Sequence, residues 1–224
     1  MPMPNTSGQL RSKIQDMQIG DYIKTYWTVG SWDVEYLKTT GIYTEYPVTG
    51  VPWASNGFFY FIKADKGLLI SDRVIFHTKS WDFLNGEKVV QGRHLVKSFD
   101  GIQGIIRSLG GGNAYTDANG NMSLTDKGLG AWPTNNEWDE YIVRKDYGTG
   151  AGRDDVWHWN NVATWCQETP VNGFVPYNGS SAQNPANNVR VGRGQGGLKH
   201  VLTRLSGDSL NLYGFRPVFE YKEV

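Results

Sequence analysis

The sequence predicts an α+β protein built from loop-rich antiparallel sheets with two or three short helices. The 224 residues include 28 Gly, 9 Trp, 12 Tyr and 9 Phe, a composition typical of aromatic-rich β proteins with many turns. Apolar residues also occur in short runs bounded by glycine, proline and polar residues, rather than in long helical patterns. Because a chain of this length buries roughly 70% of its unfolded surface, we predict one domain over residues 19–224.

Residues 1–18 are predicted to form an arm ahead of this domain. The segment is mostly polar, with Leu10, Ile14 and Met17 at helical spacing, which indicates a short helix. A stripe of three apolar residues does not stabilise a helix alone. We therefore expect residues 1–18 to dock on another protein chain, either a different protein or a further copy in a homo-oligomer, with a trimer favoured.

The first half of the domain has the pattern of β-strands. Aromatic and β-branched residues concentrate in short runs separated by turn residues. These runs are residues 21–27, 41–48, 58–62, 68–70 and 102–109. Residues 63–67 join two of them and predict a hairpin, with Gly67 in the left-handed conformation that glycine adopts most easily.

A first short helix is predicted at residues 80–85. Ser80 has the side chain of an N-terminal cap, and Gly86 stands just past the predicted end. Trp81 and Leu84 share one face of this helix. We expect both side chains to be buried.

A second helix is predicted to begin at Thr134. Thr134 and Glu137 have the spacing of a capping box, in which the two side chains satisfy the first free N–H groups of a helix. Trp138, Tyr141 and Ile142 then form an apolar stripe. The pattern predicts a helix of about three turns that buries a tryptophan.

Two polar, glycine-containing stretches resemble ligand sites but lack essential residues. Asp117, Asn119 and Asn121 have alternate spacing as in a calcium loop, but the glycine and glutamate of an EF-hand are missing at the sixth and twelfth positions. Residues 192–197 are glycine-rich, but no Gly-Lys-Ser/Thr follows as in a phosphate-binding loop. We predict a plain turn at the first stretch and a turn or β-bulge at the second, with no metal site.

Charge and cysteine content exclude several classes of protein. Lys plus Arg and Asp plus Glu are both 22, so no net charge favours nucleic acid as a partner. The single Cys166 excludes an internal disulfide and a cysteine zinc cluster, and we expect it to be buried. The sequence opens with polar residues and has no apolar run of about 20, so we expect no secretory signal and no membrane insertion.

The final third of the chain contains a loop and two predicted strands. Residues 172–188 are rich in Gly, Asn, Ser, Pro and Gln without periodicity, which is typical of a surface loop that carries a binding function. Residues 189–191 and 213–219 are predicted strands. Pro217 places the second of them at a sheet edge or a bulge.

Four motifs stand in a recognisable order: Pro133-Thr134-x-x-Glu137-Trp138, Val156-Trp157-His158-Trp159, Arg190-Val191-Gly192-Arg193-Gly194 and Gly214-Phe215-Arg216. This order resembles the formylglycine-generating-enzyme (sulfatase-modifying factor) superfamily, a C-type-lectin-like fold also found in phage and prophage tail or receptor-binding proteins. The resemblance covers about 85 residues at the C-terminal side, within a motif-bearing part at residues 113–224, while residues 19–112 match only in general character. It implies structural roles for Thr134, Glu137, Trp138, Arg190, Arg193, Gly214, Phe215 and Arg216, with Arg216 buried and paired.

The departures from this superfamily argue against catalysis. Its oxidase members bind copper through two cysteines, and Cys166 is alone. Its iron-dependent members need a histidine cluster, and none of the four histidines is paired at helical spacing. Asp154 and Asp155, as neighbours on a predicted strand, point to opposite faces and do not form a carboxylate pair for glycoside hydrolysis. The resemblance therefore implies a non-enzymatic protein without a cofactor.

The sequence thus predicts a phage virion protein, assembled in the host cytoplasm, that binds a host-surface glycan or polymer. Sugars stack on aromatic rings and hydrogen-bond to amide side chains. The predicted contact residues are Trp157, Trp159, Asn160, Asn161, Asn172, Tyr177, Asn178 and Gln183. The alternative for each tryptophan is burial in the core, without contact to a ligand. The alternatives are a purely structural virion subunit, such as a collar, baseplate or decoration protein, and an enzyme with the same fold.

Overall fold

The computed structural model describes residues 3–35, 43–146, 152–179, 181–184 and 188–223. These residues form mainly strands and loops, with few and short helices, which confirms the sheet-dominated character predicted from the sequence. The predicted strand at residues 41–48 lies partly outside the described residues. Within its described part, Glu45 forms an isolated parallel bridge with Phe58.

The described residues contain seventeen short strands and four helical segments. The strands are β1 Leu10–Arg11, β2 Tyr22–Trp27, β3 Val34–Glu35, β4 Val51–Pro52, β5 Gly57–Asp65, β6 Leu68–Ser71, β7 Phe76–His77, β8 Arg93–His94, β9 Gly104–Arg107, β10 Ala114–Thr116, β11 Met122–Ser123, β12 Ala131–Trp132, β13 Ala163–Trp165, β14 Val189–Arg193, β15 Val201–Leu205, β16 Tyr213–Phe215 and β17 Val218–Tyr221. The helical segments are a 3-10 turn at Ile14–Asp16, α1 at Trp81–Gly86, a π-helix at Trp138–Arg144 and α2 at Asp154–Trp157.

Strands from both halves of the chain form the largest sheet. Its order is β1-β2-β5-β6-β17-β9-β8, with β3 paired to β2. The late strand β17 lies inside this sheet and is antiparallel to both neighbours, with Phe219 opposite Leu69 on one side and Ile106 on the other. The N-terminal strands are therefore joined to residues 218–221 by hydrogen bonds.

Two smaller sheets accompany the largest one, and the six-stranded sheet carries the motifs at residues 190–194 and 214–216. One has the order β15-β14-β13-β16-β7-β4, and the other has the order β11-β10-β12. In the first, β16 pairs in parallel with β13 and antiparallel with β7. Because β16 and β17 are separated by two residues, the chain passes directly from this sheet to the largest one.

Pro217 lies where the chain passes from one sheet to the other. The prediction of one strand over residues 213–219 is therefore wrong. Arg216 and Pro217 lie between two strands that belong to different sheets. Proline has no N–H for a β-ladder, and the Pro217 carbonyl instead accepts from Ser71 N at 3.0 Å. The proline ends one ladder and precedes an interior strand rather than an edge strand.

The N-terminal segment packs on its own chain. The predicted helix is reduced to the 3-10 turn, and Leu10 pairs in parallel with Tyr22 at the sheet edge. Ile14 and Met17 are 1% and 4% exposed and belong to the main hydrophobic core. Asp100 Oδ2 accepts the Ile14 N–H at 2.8 Å. The two apolar residues expected to contact a partner therefore fill this domain's core, while attachment through residues 1–18 stays a prediction.

Short-range sequence signals predict two local features correctly. Ser80 caps α1 by accepting from Phe83 N, and Trp81 and Leu84 are buried. The helix extends one residue further than expected and includes Gly86. Gly67 has φ +68° in the turn of the β5–β6 hairpin, as predicted.

Candidate functional site

The capping box predicted at Thr134 does not form. Thr134 is exposed, and Glu137 instead binds Arg107 through both carboxylate oxygens and accepts from Gly110 N at 2.8 Å. Asn136 Oδ1 accepts the Asp139 N–H at 3.0 Å and takes over the capping role. Glu137 does not cap the helix because it pairs with Arg107. Arg107 is 8% exposed, and a buried guanidinium requires a charged partner.

The π-helix is anchored by a buried ion pair. Arg193 Nη2 donates to Asp139 Oδ1 at 2.9 Å, and Arg193 Nη1 donates to the Gly111 carbonyl at 2.6 Å. Burial would raise the pKa of Asp139, but Arg193, Asn136 and the backbone lower it below its ordinary value. Trp138 is fully buried beside this pair and donates its indole N–H to Leu198 O at 2.8 Å. Trp138 and Arg193 are thus both buried and hydrogen-bonded within the chain.

Arg216 is fully buried and hydrogen-bonded in three directions. Its guanidinium donates to Thr164 Oγ1 at 3.1 Å, Ser71 O at 2.8 Å and Trp157 O at 2.8 Å. Burial lowers the pKa of Arg216 to about 10, although Asp72 opposes this shift. The predicted burial of Arg216 is confirmed, but its direct partners are neutral oxygens rather than a carboxylate.

The remaining motif residues shape the sheets. A Cβ on Gly214 would lie 2.3 Å from Phe76 O, so the close approach of β16 and β7 requires glycine. Phe215 is fully buried in the main core. Arg190 lies with its guanidinium carbon 4.1 Å from the centroid of the Trp81 ring, which is a cation–π contact.

The predicted glycan contact at Trp157 is wrong. Residues Asp154–Trp157 form a short helix rather than a strand, and Trp157 is 2% exposed. Trp159 is half-buried and donates its indole N–H to Gly152 O at 2.7 Å. Asn160 and Asn161 are exposed. Trp157 is buried where its carbonyl oxygen accepts from Arg216, and the local sequence pattern does not reveal this packing.

Tyr177 is the exposed aromatic residue of the predicted binding loop. Its side chain is 54% exposed, and its ring stacks on His200 with centroids 3.3 Å apart and an interplanar angle of 15°. The Tyr177 N–H donates to Val201 O at 3.0 Å, so both backbone and ring are fixed against β15. Burial lowers the pKa of His200 below its ordinary value, which keeps the supporting imidazole neutral at neutral pH.

Asn178 closes the edge of the same sheet. Its side chain donates to Thr203 O at 3.1 Å and accepts from Thr203 N at 3.2 Å. The carboxamide therefore imitates a neighbouring strand along β15, the edge strand of its sheet. One Nδ2–H and the Oδ1 of Asn178 are therefore bonded to the backbone of Thr203. The second Nδ2–H is left for a ligand.

A groove of about 270 Å³ lies beside Tyr177. It is lined by Pro176, Asn178, Gly179, Gln183, Val189, Thr203, Arg204, Leu205 and Asp208. Gln183 donates its Nε2 to Ser181 O at 3.3 Å, and Arg204 is exposed. Amide, guanidinium and carboxylate groups therefore meet in one open groove, and two of its lining residues, Pro176 and Asn178, flank Tyr177 in the sequence.

The structure divides the predicted contact residues into two groups. Asn178 and Gln183 line the groove, while Tyr177 stands between the lining residues Pro176 and Asn178 with its ring on His200. Asn172 is exposed next to Gly173, whose N–H donates to Gln183 O. Trp159, Asn160 and Asn161 instead belong to the segment that contacts the turn after β14, where Gln195 N donates to Trp159 O. The groove is at the opposite, Val189 end of that strand.

Sequence reasoning missed His200 and Arg204. Arg204 lines the groove from β15, and His200, just before β15, stacks on Tyr177. These contacts form because the Tyr177 N–H donates to Val201 O and the Asn178 side chain pairs with Thr203. A lone histidine and an isolated arginine in a strand carry no local signal for this contact.

The two motifs that resemble ligand sites are turns. Asp117 Oδ1 accepts the N–H groups of Asn119 and Asn121 at 2.9 and 2.8 Å, within the hairpin between β10 and β11. Gly194, Gln195 and Gly196 have positive φ angles and join β14 to β15. The register of the two strands is regular up to Arg193, so this is a turn and not a bulge.

Cys166 is fully buried, as predicted, and burial raises the pKa of its thiol. Over the ranges that the structure describes, no three His, Cys, Asp or Glu side chains are grouped so that they could hold a metal ion. None of the helices in those ranges is long and apolar enough to cross a bilayer. No protein-family model, curated protein or solved structure matches this chain in the comparisons made.

Proposed function

We propose that this chain is a non-catalytic phage virion protein that binds a host-surface glycan or polymer through the surface around Tyr177. The observation that supports this proposal is the Tyr177 ring, which is half-exposed and stacked on His200 in a residue flanked by Pro176 and Asn178, both of which line a polar groove. We further propose a C-type-lectin-like fold of the formylglycine-generating-enzyme type, in which buried Trp138, Arg193 and Arg216 support the exposed loops.

The chemistry of a sugar suits this surface. The C–H face of a pyranose packs on an aromatic ring, and its hydroxyl groups pair with amide and charged side chains. Tyr177 supplies the ring, while Gln183, Arg204 and Asp208 supply polar groups at the groove. Because His200 already fixes the tyrosine, binding a sugar costs little side-chain entropy.

The open groove implies weak binding at each site. A particle that carries several copies of the chain compensates through avidity. We therefore propose a homo-oligomer, with a trimer favoured, held on the virion through contacts that include residues 1–18.

A glycan array with the purified protein tests the proposal. We expect binding to a defined set of glycans, loss of binding in Tyr177→Ala and retention in Tyr177→Phe, which keeps the ring. Val96→Ala is the control, because Val96 is 80% exposed and absent from the groove. Failure of the wild-type protein to bind any glycan or host cell, or full binding by Tyr177→Ala, would contradict the proposal.

A second candidate function is a structural virion subunit. Met122, Leu124 and Leu129 are 47%, 40% and 47% exposed, and they lie in or next to the β10–β11–β12 sheet. Val175, two residues before Tyr177, donates its N–H to Leu124 O. Exposed apolar side chains on one small sheet and its flanks favour a protein partner. Labelling of intact particles distinguishes the two functions, since a structural contact protects these residues and leaves glycan binding absent.

A further inference from the structure

A strained threonine follows β7 in the six-stranded sheet. Thr78 is exposed and has φ +63°, a conformation in which a β-branched residue is an outlier. Its N–H donates to Leu210 O at 3.1 Å, and its Oγ1 lies 2.8 Å from His77 Nδ1. Glycine adopts this conformation without strain, and backbone strain concentrates at binding and active sites. The threonine side chain therefore points to a use other than stability.

Thr78 lies beside Trp53 at the ends of two strands. The strands β4 and β7 are parallel, and their pairing ends with Pro52 opposite His77. Trp53 and Thr78 are the next residues of the two segments. The edge strand β4 thus brings an aromatic residue to the strained position.

Two aromatic rings form a corner at this place. Trp53 and Phe83 are partly buried, and their ring centroids are 5.9 Å apart at an angle of 68°. Trp32 and Phe76 support Trp53 from the core, with centroids 4.9 and 4.4 Å from the Trp53 ring. The corner is therefore held in one shape before any ligand binds.

Lys79 places a positive charge at the same corner. Its Nζ lies 4.3 Å from the centroid of the Phe83 ring, which is a cation–π contact. The ammonium is therefore within about 10 Å of the Trp53 ring centroid, close enough for one ligand to contact both. Burial lowers the pKa of His77, so this imidazole adds no charge at neutral pH.

The carboxylates around the corner are bound to other groups. Asp82, the acidic residue nearest to Lys79 in the sequence, accepts from Ser206 Oγ at 2.9 Å. Glu87 accepts from Trp32 Nε1 at 2.8 Å and pairs with Arg93. The ammonium of Lys79 thus suits a ligand that brings its own negative charge.

From these contacts we propose a second binding site, for a sugar that carries a carboxylate, at the corner made by Trp53, Phe83, Thr78 and Lys79. The C–H face of the sugar ring packs on Trp53, and its carboxylate pairs with Lys79. The Thr78 hydroxyl bonds to a hydroxyl of the sugar. This inference does not rest on the function proposed for Tyr177, because none of these four residues lines the groove described above.

Two-dimensional ¹⁵N NMR titration tests the site with glucuronate and galacturonate as probes and glucose as the neutral comparison. At least one uronate is expected to shift the Trp53 indole signal and the amide signals of residues 77–79. Lys79→Met is expected to bind about tenfold more weakly, the effect of one hydrogen bond to a charged group. Lys127→Met is the matched control, because Lys127 is exposed in the β11–β12 connection, and it is expected to bind as the wild type does.

The variant Thr78→Gly separates binding from folding. Glycine relieves the strain, so this variant is expected to have a higher melting temperature than the wild type and a lower affinity for the uronate. Tyr177→Ala is expected to leave the shifts unchanged, which separates this corner from the first surface. The inference is overturned if neither uronate shifts these signals or if glucose binds as tightly as the uronates. It is equally overturned if either Lys79→Met or Thr78→Gly keeps the wild-type affinity.

Discussion

Asp139 and Arg193 form a buried ion pair that joins the π-helix to β14, with Arg193 Nη2 and Asp139 Oδ1 2.9 Å apart. Their exposed fractions are 5% and 0%. The second oxygen of Asp139 accepts from Ala131 N at 2.7 Å and Asn136 Nδ2 at 2.8 Å. One carboxylate therefore connects β12, the start of the π-helix and β14.

Breaking this pair is expected to destabilise the fold strongly. Arg193→Met leaves Asp139 as a buried charge without its cation, which costs about 3–5 kcal/mol. Urea denaturation followed by tryptophan fluorescence measures the free energy of unfolding. Arg93→Met is the control, because Arg93 and Glu87 form a partly exposed pair expected to contribute at most about 1 kcal/mol. Equal losses in the two variants would contradict the structural role of the buried pair.

Gly214→Ala is expected to lower the free energy of unfolding by about 1–3 kcal/mol, the usual cost of over-packing. The added Cβ would lie 2.3 Å from Phe76 O and 2.4 Å from Val74 Cγ1. Gly86→Ala provides the matched control, since no atom lies within 4 Å of its Cβ position. Within α1, that change is expected to raise stability by about 0.5–1 kcal/mol. Thermal unfolding monitored by circular dichroism distinguishes these opposite effects, and a neutral Gly214→Ala would contradict the tight approach of the strands.

Stability is expected to fall as the pH drops below 6.5. Burial lowers the pKa of His158 below 6.5, Arg73 and Arg216 lower it further, and Asp72 and Asp154 oppose them. The unfolded chain therefore takes up this proton at a higher pH than the folded chain. Stability is unaffected well above pH 6.5 and decreases below it, by up to about 1.4 kcal/mol per pH unit for one proton.

The variant His158→Asn isolates this contribution. Asparagine tolerates the left-handed conformation of residue 158, where φ is 41°, and does not titrate. Urea denaturation between pH 7.5 and 5 is expected to give a shallower slope for the variant. The pH dependence of stability that remains in this variant includes contributions from His77 and His200, whose pKa values are also lowered by burial. Identical slopes for wild type and variant would show that His158 is not the titrating group.

The N-terminal segment is expected to contribute to the stability of the isolated chain. Ile14→Ala removes a side chain that is 1% exposed in the main core, which costs about 2–5 kcal/mol. Leu10→Ala, at a residue that is 50% exposed, is expected to change stability by less than about 0.5 kcal/mol. If residues 1–18 act only as an arm for a partner, chemical denaturation will find the two variants equally stable.

Local signals in the sequence predict local structure well. Ser80 caps a helix over three residues, and Gly67 closes a two-residue turn, so neither depends on distant groups. The capping box at Thr134 fails because Glu137 binds Arg107, which is 30 residues away in sequence. Only the folded chain brings that guanidinium to the helix start.

The candidate site was predicted in part. Tyr177 and Gln183 are in a loop whose composition indicates exposure, and Tyr177 is 54% exposed while Gln183 lines the groove. Trp157 has the residue type of a sugar contact, but its burial depends on packing around Arg216 that no short pattern records. His200 was missed because its contact with Tyr177 depends on how residues 175–178 pair with β15.

Because β17 lies inside the largest sheet, that sheet cannot be completed on the ribosome until residues 218–221 have been synthesised. The strands β6 and β9 each pair with β17, and both are synthesised long before residues 218–221. Until those residues emerge, β6 and β9 each keep an open edge that can pair with another polypeptide. Translation products interrupted before Val218 are therefore expected to aggregate unless a chaperone holds them.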